Sequence, residues 1–318
     1  MKQLTHYLRL ILKKEIRKMD TSSFRGVYSA TFTPYDKQGN INLEMQEKII
    51  NFHLRNGIRG FYICGSTGEG PLLNENERIL VAKNAIKCCK DRGKVIVHVG
   101  HVSTDTAITL SKKAKEHGAD AVSSIQPYYY HFSEEIESRY YQELSDAVDI
   151  PMIIYIYPKL FGSSITGKQI LKLLNLKNVM GAKYTGSDYF VINSIFKKVA
   201  QNKILFSGAD ELMMAGLCFG TGGSIGAFQN IIPKPFVKLY EAFNAGKVEE
   251  MRQLQYKIND FIYFVVSKAD MSYYKASMRY IGFDCRFARR PFKQLTEKEY
   301  SIFANELEQF DDLFTMSK

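Results

Sequence analysis

Short apolar runs alternate with amphipathic stretches along the chain from about residue 24 onward. The runs are rich in β-branched and aromatic residues and almost continuously apolar, which is typical of parallel strands covered on both faces. They predict strands at 26–33, 60–64, 94–99, 120–125, 152–157, 178–184, 203–208 and 222–228. Apolar positions at helical spacing predict helices near 43–56, 74–91, 103–117, 133–147, 166–174, 188–200, 210–218 and 232–246.

The alternation is regular, with about 25–35 residues in each strand-and-helix unit. Eight such units in one chain predict an α/β fold, a closed (β/α)8 TIM barrel, and the structural alternative is a doubly wound open sheet. No linker rich in Pro, Gly or Ser interrupts the series. We therefore expect a basic N-terminal extension at 1–23, the barrel at 24–246, and additional C-terminal helices packed on the barrel at 247–318.

Charge and hydropathy exclude two classes of partner. The net charge is +10 over 318 residues, and residues 1–20 alone carry +4. The remaining positive charge is diffuse and leaves no nucleic-acid footprint, so no nucleic-acid partner is expected. No apolar run approaches the roughly 18 residues of a membrane span. The amphipathic spacing within 1–20 favours a helix on the surface of the domain, or an appendage upstream of a start at Met19, over a membrane or transit helix.

The five cysteines predict neither a disulfide framework nor a zinc site. Their number is odd and no pair has the Cys-x-x-Cys spacing. Free thiols favour a reducing, cytoplasmic compartment. His98 and His101 lie on a strand and a turn rather than on one helix face, so we interpret them as structural and expect no metal.

Two strands end in residues suited to carbonyl chemistry, and in a TIM barrel the carboxyl ends of the strands form the active site. Lys183 ends an apolar strand. Burial lowers the pKa of a lysine, and a neutral amine attacks a ketone to form a Schiff base. The alternative is a lysine extending along the barrel rim. Tyr155 and Tyr157 share one face of their strand, where either can carry a proton or pack in the core.

Three further strand ends are candidates for binding. The segment 65–70, Gly-Ser-Thr-Gly-Glu-Gly, presents amides and hydroxyls that can converge on an anion, or it is an ordinary strand-to-helix turn. Asp210 and Glu211 follow the seventh strand, as acceptors for substrate hydroxyls or as acidic residues in a helix's first turn. Tyr129 follows the fourth strand among other aromatic residues, which line a pocket or an oligomer interface.

Four of these segments together resemble one family. They are GSTGE at 65–69, Tyr155-x-x-Pro158, the Gly-x-Lys183 strand end, and Gly-Ala-Asp-Glu at 208–211. They are similar to the N-acetylneuraminate lyase/dihydrodipicolinate synthase family of pyruvate-dependent class I aldolases. The resemblance runs from Phe24 through the C-terminal helices. It implies a (β/α)8 barrel, usually a homotetramer, that needs no metal or organic cofactor.

The resemblance also implies a role for each matching residue. Lys183 would form a Schiff base with the C2 carbonyl of pyruvate or of a 2-keto acid, and Tyr155 would transfer protons. Ser66 and Thr67 would hold the carboxylate and the tyrosine hydroxyl. The substrate-binding set also includes Tyr129, Thr185, Gly208, Asp210 and Glu211.

Within the family, the residues favour the sialic acid lyases. The synthases carry an arginine two residues after the proline of the tyrosine segment, and here that position is Leu160. The implied activity is reversible cleavage of N-acetylneuraminate to N-acetylmannosamine and pyruvate. Ala227 departs from the lyase pattern, since lyases have a serine there that contacts the sugar. The alternatives are a 2-keto-3-deoxy sugar acid aldolase or a dihydrodipicolinate synthase-like enzyme, and last a non-catalytic barrel that binds sugar acids.

Overall fold

The computed structural model describes residues 20–161, 166–199 and 202–317. Eight parallel strands pair in sequence order, and the pairing of the first with the last closes a barrel. The strands are β1 Gly26–Ala30, β2 Gly60–Ile63, β3 Lys94–His98, β4 Ala121–Ile125, β5 Met152–Ile156, β6 Val179–Tyr184, β7 Ile204–Ser207 and β8 Gly223–Gly226. The predicted TIM barrel is confirmed, and the open-sheet alternative is wrong. The predicted basic extension lies, but for its last residues, outside the described residues.

Helices surround the barrel and continue beyond it. Those between the strands and after β8 are Leu43–Arg55, Glu75–Cys89, Thr104–Glu116, Glu134–Ala147, Pro158–Phe161, Gly167–Leu174, Tyr189–Val199, Met213–Cys218 and Pro233–Asn244. The helices of the C-terminal extension, which we define as residues 247–317, are Val248–Val266, Met271–Tyr280, Glu297–Leu307 and Asp311–Thr315. Among the described residues, no helix is long and apolar enough to cross a lipid bilayer.

Side-chain caps fix where several helices begin. Asn74 accepts from the backbone N–H of Glu77, and Glu77 accepts in return from the N–H of Asn74. Thr166 and Thr296 make the same reciprocal arrangement at the starts of two later helices. Each arrangement satisfies two backbone donors that the first turn would otherwise leave unpaired. The polar residues between the apolar runs therefore set the helix boundaries.

Large side chains fill the interior of the barrel. Tyr28, Tyr62, Ile96, Ile153 and Phe206 belong to one buried cluster, and each is no more than 1% exposed. They come from five different strands, whose alternate residues face inward. The barrel is therefore a packed core rather than a pore, and its upper layer forms the floor of any cavity at the carboxyl ends of the strands.

A register shift between β5 and β6 determines which residues face that cavity. The shift falls between Met152 and Ile153, so that β6 contains one additional residue. Beyond the shift, Lys183 lies opposite Tyr155. Without it, Lys183 would lie opposite Ile156. Since a slip of one residue turns every side chain to the other face, the lysine would then point away from the barrel interior.

The C-terminal extension is hydrogen-bonded to the segment that follows β7. Gln255 accepts from the N–H of Met214 at 2.9 Å and donates to the carbonyl of Asp210 at 3.2 Å. Asn259 donates to the carbonyl of Glu211 at 3.2 Å. Helix Val248–Val266 therefore lies directly behind two of the residues that the sequence places in the candidate site.

Candidate active site

A cavity of about 380 Å³ opens at the carboxyl ends of the strands. Eight of the nine site residues predicted from the sequence line it, and they come from four different strand ends. These residues are Ser66, Thr67, Tyr155, Lys183, Thr185, Gly208, Asp210 and Glu211. Segments far apart in sequence thus meet at one concave surface, as the barrel topology requires.

Lys183 is buried at the base of this cavity. Its side chain is surrounded by aromatic rings, with Nζ 4.2 Å from the ring centroid of Tyr155 and 4.7 Å from that of Tyr62. Burial lowers the pKa of Lys183 to about 8, and the Asp210 carboxylate opposes the shift. At pH 7 roughly one molecule in ten then holds a neutral amine, about 300-fold more than for an ordinary lysine.

Tyr155 is a buried phenol beside the amine. Burial raises the pKa of Tyr155, and the nearby hydroxyls of Thr185 and Ser66 partly oppose the rise. The ring of Tyr157 stacks near that of Tyr155, with centroids 6.1 Å apart and an interplanar angle of 18°. The phenol therefore stays protonated at neutral pH and is placed to relay a proton rather than to act as a standing phenolate.

Gly208 and Thr185 stand close to the lysine. A Cβ atom at position 208 would clash with Oγ1 of Thr185 and would lie 3.0 Å from Cε of Lys183. Glycine at this strand end therefore gives the lysine side chain room to move. Oγ1 of Thr185 is buried without a hydrogen-bond partner among the described residues. A polar atom left in this state is available to a bound molecule.

Asp210 has a structural partner that the sequence did not predict. Its Oδ2 accepts from the backbone N–H groups of Ala227 and Phe228, both at 2.9 Å. Burial raises the pKa of this carboxyl to about 6, although the N–H of Phe228 opposes the rise. Gly226 is needed here because a Cβ would clash with Oδ1 of Asp210. Oδ2 of Asp210 thus fixes the segment that follows β8, whereas Oδ1 has no hydrogen-bond partner within the described residues.

The C-terminal extension supplies part of the cavity wall, which the sequence reasoning missed. The contributing side chains are Ile262, Tyr263, Val266 and Tyr274. Burial raises the pKa of Tyr274 to about 12, and the carboxylates of Asp210 and Glu211 add to the rise. Helical spacing marks these residues as members of amphipathic helices, but no local signal shows that one face of each helix reaches a barrel mouth.

Tyr129 is a predicted site residue that lies apart from the others, and His98 is predicted to be structural. Tyr129 does not line the cavity in this chain. It is 85% exposed, has a φ of 85°, and packs edge-to-face on Tyr130. Its role as a substrate contact stays a prediction. His98 is buried beneath the cavity, where its Nε2 accepts from the N–H of Ile125 at 3.2 Å. In the described part of the chain, no group of three or more His, Cys, Asp or Glu could hold a metal ion.

A second cavity, of about 390 Å³, opens among residues at the amino ends of β3 and β4. It is lined by basic residues, including Arg59, Lys87 and Lys94, and Lys94 is paired with Asp120 at 2.7 Å. In a TIM barrel this end serves stability rather than chemistry. The cavity at the carboxyl ends of the strands, which we call the upper cavity, is therefore the candidate active site.

The upper cavity combines three chemical functions. It holds an amine of lowered pKa beside a protonated phenol, hydroxyls that can bind an anion, and carboxylates that can accept hydrogen bonds from hydroxyls. An amine and a proton relay suit reversible imine formation at a ketone. The hydroxyls and carboxylates suit a substrate that carries both an acid group and several alcohols.

Comparisons with known proteins agree with this chemistry. A model of the dihydrodipicolinate synthetase family matches residues 23–310. An N-acetylneuraminate lyase of Rhizobium meliloti (strain 1021) is 33% identical over 274 residues, or 86% of this chain and 91% of the relative. The crystal structure of N-acetylneuraminate lyase from Mycoplasma synoviae has a TM-score of 0.84 at 33% identity and covers 92% of this chain and 98% of its own. The solved structure of the wild-type Ruminococcus gnavus sialic acid aldolase has a TM-score of 0.87 at 28% identity. It covers 93% of this chain and 100% of its own.

The pKa of Lys183 should respond to the charge of Asp210. Asp210→Asn removes a negative charge that stabilises the ammonium form, so it should lower the pKa of Lys183 below its value of about 8. Competitive labelling with acetic anhydride at a series of pH values, read on the Lys183 peptide by mass spectrometry, measures this pKa. Asp260→Asn, at an exposed position of helix Val248–Val266, is the matched control and should leave it unchanged. An unchanged or higher pKa in Asp210→Asn would contradict the electrostatic account.

Proposed function

Because the chain belongs to the dihydrodipicolinate synthetase family, we propose that it is a Schiff-base aldolase that cleaves N-acetylneuraminate reversibly to N-acetylmannosamine and pyruvate. The observation that carries the proposal is the buried amine of Lys183 beside the phenol of Tyr155. The chain's 33% identity to a lyase over most of both sequences supports the choice of substrate.

The first step is covalent capture of the open-chain sugar acid. The neutral Nζ of Lys183 attacks the C2 carbonyl, and loss of one water molecule with uptake of one proton leaves a protonated imine. The lowered pKa of Lys183 makes the amine available for this attack at neutral pH. The cationic imine then withdraws electrons from C3, which an unmodified ketone does far less effectively.

The second step breaks the C3–C4 bond. The C4 hydroxyl gives its proton to Tyr155 as the phenol passes its own proton on to the carboxylate of the bound substrate, the C3–C4 electrons flow into the imine, and N-acetylmannosamine leaves as the aldehyde. The enamine that remains takes that proton at C3 by the reverse path through Tyr155, and water then hydrolyses the imine to release pyruvate and free Lys183. Since burial keeps Tyr155 protonated, it acts as a relay that accepts one proton as it donates another, beside the hydroxyls of Ser66 and Thr185.

Binding divides the substrate between two ends of the cavity. Ser66 and Thr67 would hold the carboxylate, while Thr185, Asp210, Glu211 and the backbone of Gly208 would hold the sugar hydroxyls. Two unpaired acceptors support the second set, Oδ1 of Asp210 and Oγ1 of Thr185. Glu211 is exposed at the cavity mouth, which suits the distal hydroxyls of a nine-carbon chain.

A second candidate function follows from Ala227. This residue lines the cavity, and its methyl group cannot make the hydrogen bond that the resemblance assigns to a serine there. One neutral hydrogen bond is worth about 0.5–1.5 kcal/mol, so its loss weakens sugar binding without abolishing it. A 2-keto-3-deoxy sugar acid aldolase, whose substrate is shorter, is therefore the second candidate.

We also propose a homotetramer in a reducing, cytoplasmic compartment. The family resemblance implies the assembly, and the five free thiols suit such a compartment. The exposed pair Tyr129 and Tyr130 supports an interface at the fourth strand end, because exposed aromatic pairs are typical of contact surfaces.

Pyruvate should form a covalent adduct on Lys183 that borohydride makes permanent. Reduction of the imine should increase the protein mass by that of pyruvic acid less one oxygen atom, and the label should map to the Lys183 peptide. Lys183→Met should give no adduct. Lys203→Met is the control, because Lys203 is also a buried lysine, just before β7, and this variant should be labelled like the wild type. A label on another lysine, or none at all, would refute the mechanism.

Removing the Tyr155 hydroxyl should slow cleavage without preventing capture. Tyr155→Phe keeps the ring beside Lys183 but removes the proton relay, so kcat for N-acetylneuraminate should fall roughly 10²- to 10⁴-fold. Tyr256→Phe, at an exposed position, is the control and should retain full kcat. Steady-state assays of pyruvate release measure both variants. A Tyr155→Phe enzyme with nearly wild-type kcat would exclude this residue as the relay.

Substrate preference should distinguish the two candidate functions. N-acetylneuraminate should have a higher kcat/KM than 2-keto-3-deoxygluconate. Ala227→Ser should raise kcat/KM for N-acetylneuraminate by about 2- to 10-fold, since it restores one hydrogen bond. Parallel assays of both substrates with both proteins test this, and a preference for the shorter acid would favour the second candidate.

A further inference from the structure

Glu69 is a buried carboxylate in the same loop as Ser66 and Thr67. Its side chain is fully buried. Its backbone has a φ of 56°, in the left-handed region that residues other than glycine seldom adopt. The proposed reaction makes no direct use of Glu69. Because a buried charge is costly unless it is paired, its partners indicate what it does.

One partner of Glu69 is Lys275, on helix Met271–Tyr280 of the C-terminal extension. Its Nζ lies 2.5 Å from Oε1 of Glu69, and the lysine side chain is fully buried as well. The same Nζ donates to the carbonyl oxygens of Thr33 at 2.7 Å and Phe287 at 2.8 Å. The ammonium therefore has three fixed partners, one of them in the Ser66 loop.

The other partner of Glu69 is Arg289. Its backbone N–H donates to Oε2 of Glu69 at 2.6 Å. Its guanidinium donates to the carboxylate of Glu77 at 2.7 Å and to the carbonyl of Leu72 at 3.1 Å. Leu72 ends the short 3-10 turn Gly70–Leu72 that follows the loop. Arg289 thus holds both Glu69 and the exit of the loop.

The loop is also fixed on its other side. The Thr33 hydroxyl donates to the carbonyl of Gly68 at 2.6 Å, and the N–H of Gly70 donates to the carbonyl of Gly65 at 3.0 Å. Since Thr33 also accepts from Lys275, the ion pair and the barrel hold the loop from two directions. The exposed tip of the loop, Ser66, is left to face the cavity.

We propose that Glu69, Lys275 and Arg289 are positioning residues, which hold Ser66 and Thr67 in the geometry that binds the carboxylate of a 2-oxo acid. The inference rests on the proposed function and deepens it. A glycine-rich loop would otherwise have to be ordered when the anion binds, and that entropy cost would weaken binding. The C-terminal extension therefore sets the affinity for the oxo acid, whereas the barrel supplies the reacting groups.

Borohydride trapping at varied pyruvate concentrations separates affinity from chemistry. Glu69→Gln keeps the size of the side chain and an acceptor for Arg289, but it removes the ion pair with Lys275. The pyruvate concentration for half-maximal trapping should rise about tenfold or more. At saturating pyruvate, the trapping rate should stay within about threefold of the wild type, because Lys183 and Tyr155 are untouched.

Two controls distinguish positioning from a general loss of stability. Glu306→Gln breaks the ion pair between Glu306 and Lys268, which joins two residues of the same extension. Leu307→Ala creates a cavity in the extension, where Leu307 is fully buried, and lowers stability. In both variants, the pyruvate concentration for half-maximal trapping should equal that of the wild type. If Glu69→Gln does not fold, the double variant Glu69→Gln with Lys275→Met, which leaves no unpaired buried charge, takes its place.

Each outcome decides the inference. A shift in half-maximal concentration confined to the Glu69 variants supports it. No shift in those variants, an equal shift in Leu307→Ala, or a lost trapping rate at saturating pyruvate overturns it while leaving the proposed function intact. A wild-type protein that pyruvate and borohydride do not label overturns the proposed function and this inference together.

Discussion

Removing the ε-amino group of Lys183 from water is the constraint on which the candidate site depends. Burial lowers the pKa of Lys183, and the aromatic faces of Tyr62 and Tyr155 exclude solvent without offering a paired negative charge. A closed barrel filled with large side chains achieves this more readily than an open sheet, because every strand end faces the same enclosed space. Asp210 moderates the lowering of the lysine pKa, since its carboxylate stabilises the ammonium form, and it also fixes the segment that follows β8.

Two backbone features make that burial possible. The extra residue in β6 turns Lys183 to the inward face, and Gly208 leaves space beside the Cε atom. Gly181 lies just beyond the register shift, where a Cβ would clash with the carbonyl of Ile204 on β7. The strand can therefore carry its irregularity only because this residue has no side chain. The orientation and burial of Lys183 thus depend on backbone geometry and on glycines that take no part in the reaction.

The sequence predicts the barrel well because each strand is a local apolar run bounded by turn residues. The predicted run 178–184 and the observed strand Val179–Tyr184 differ by one residue. Eight predicted site residues lie in one cavity because the topology brings all strand ends together. The pattern does not reveal the register shift, the hydrogen bond that the Ala227 N–H donates to Asp210, or the approach of Tyr274 to the cavity, since each depends on partners distant in the chain. The predicted helix at 210–218 begins instead as a 3-10 turn.

The contact between Glu69 and Arg289 spans 220 residues of sequence, and this has a consequence for synthesis on the ribosome. All eight strands precede the residues that neutralise Glu69, so a nascent barrel whose C-terminal helices are still in the exit tunnel holds an unmatched carboxylate beside the loop. That charge disfavours closure of the loop until Lys275 and Arg289 emerge. Tight binding of an oxo acid should therefore depend on synthesis of the C-terminal extension, although the barrel that carries Lys183 is already complete.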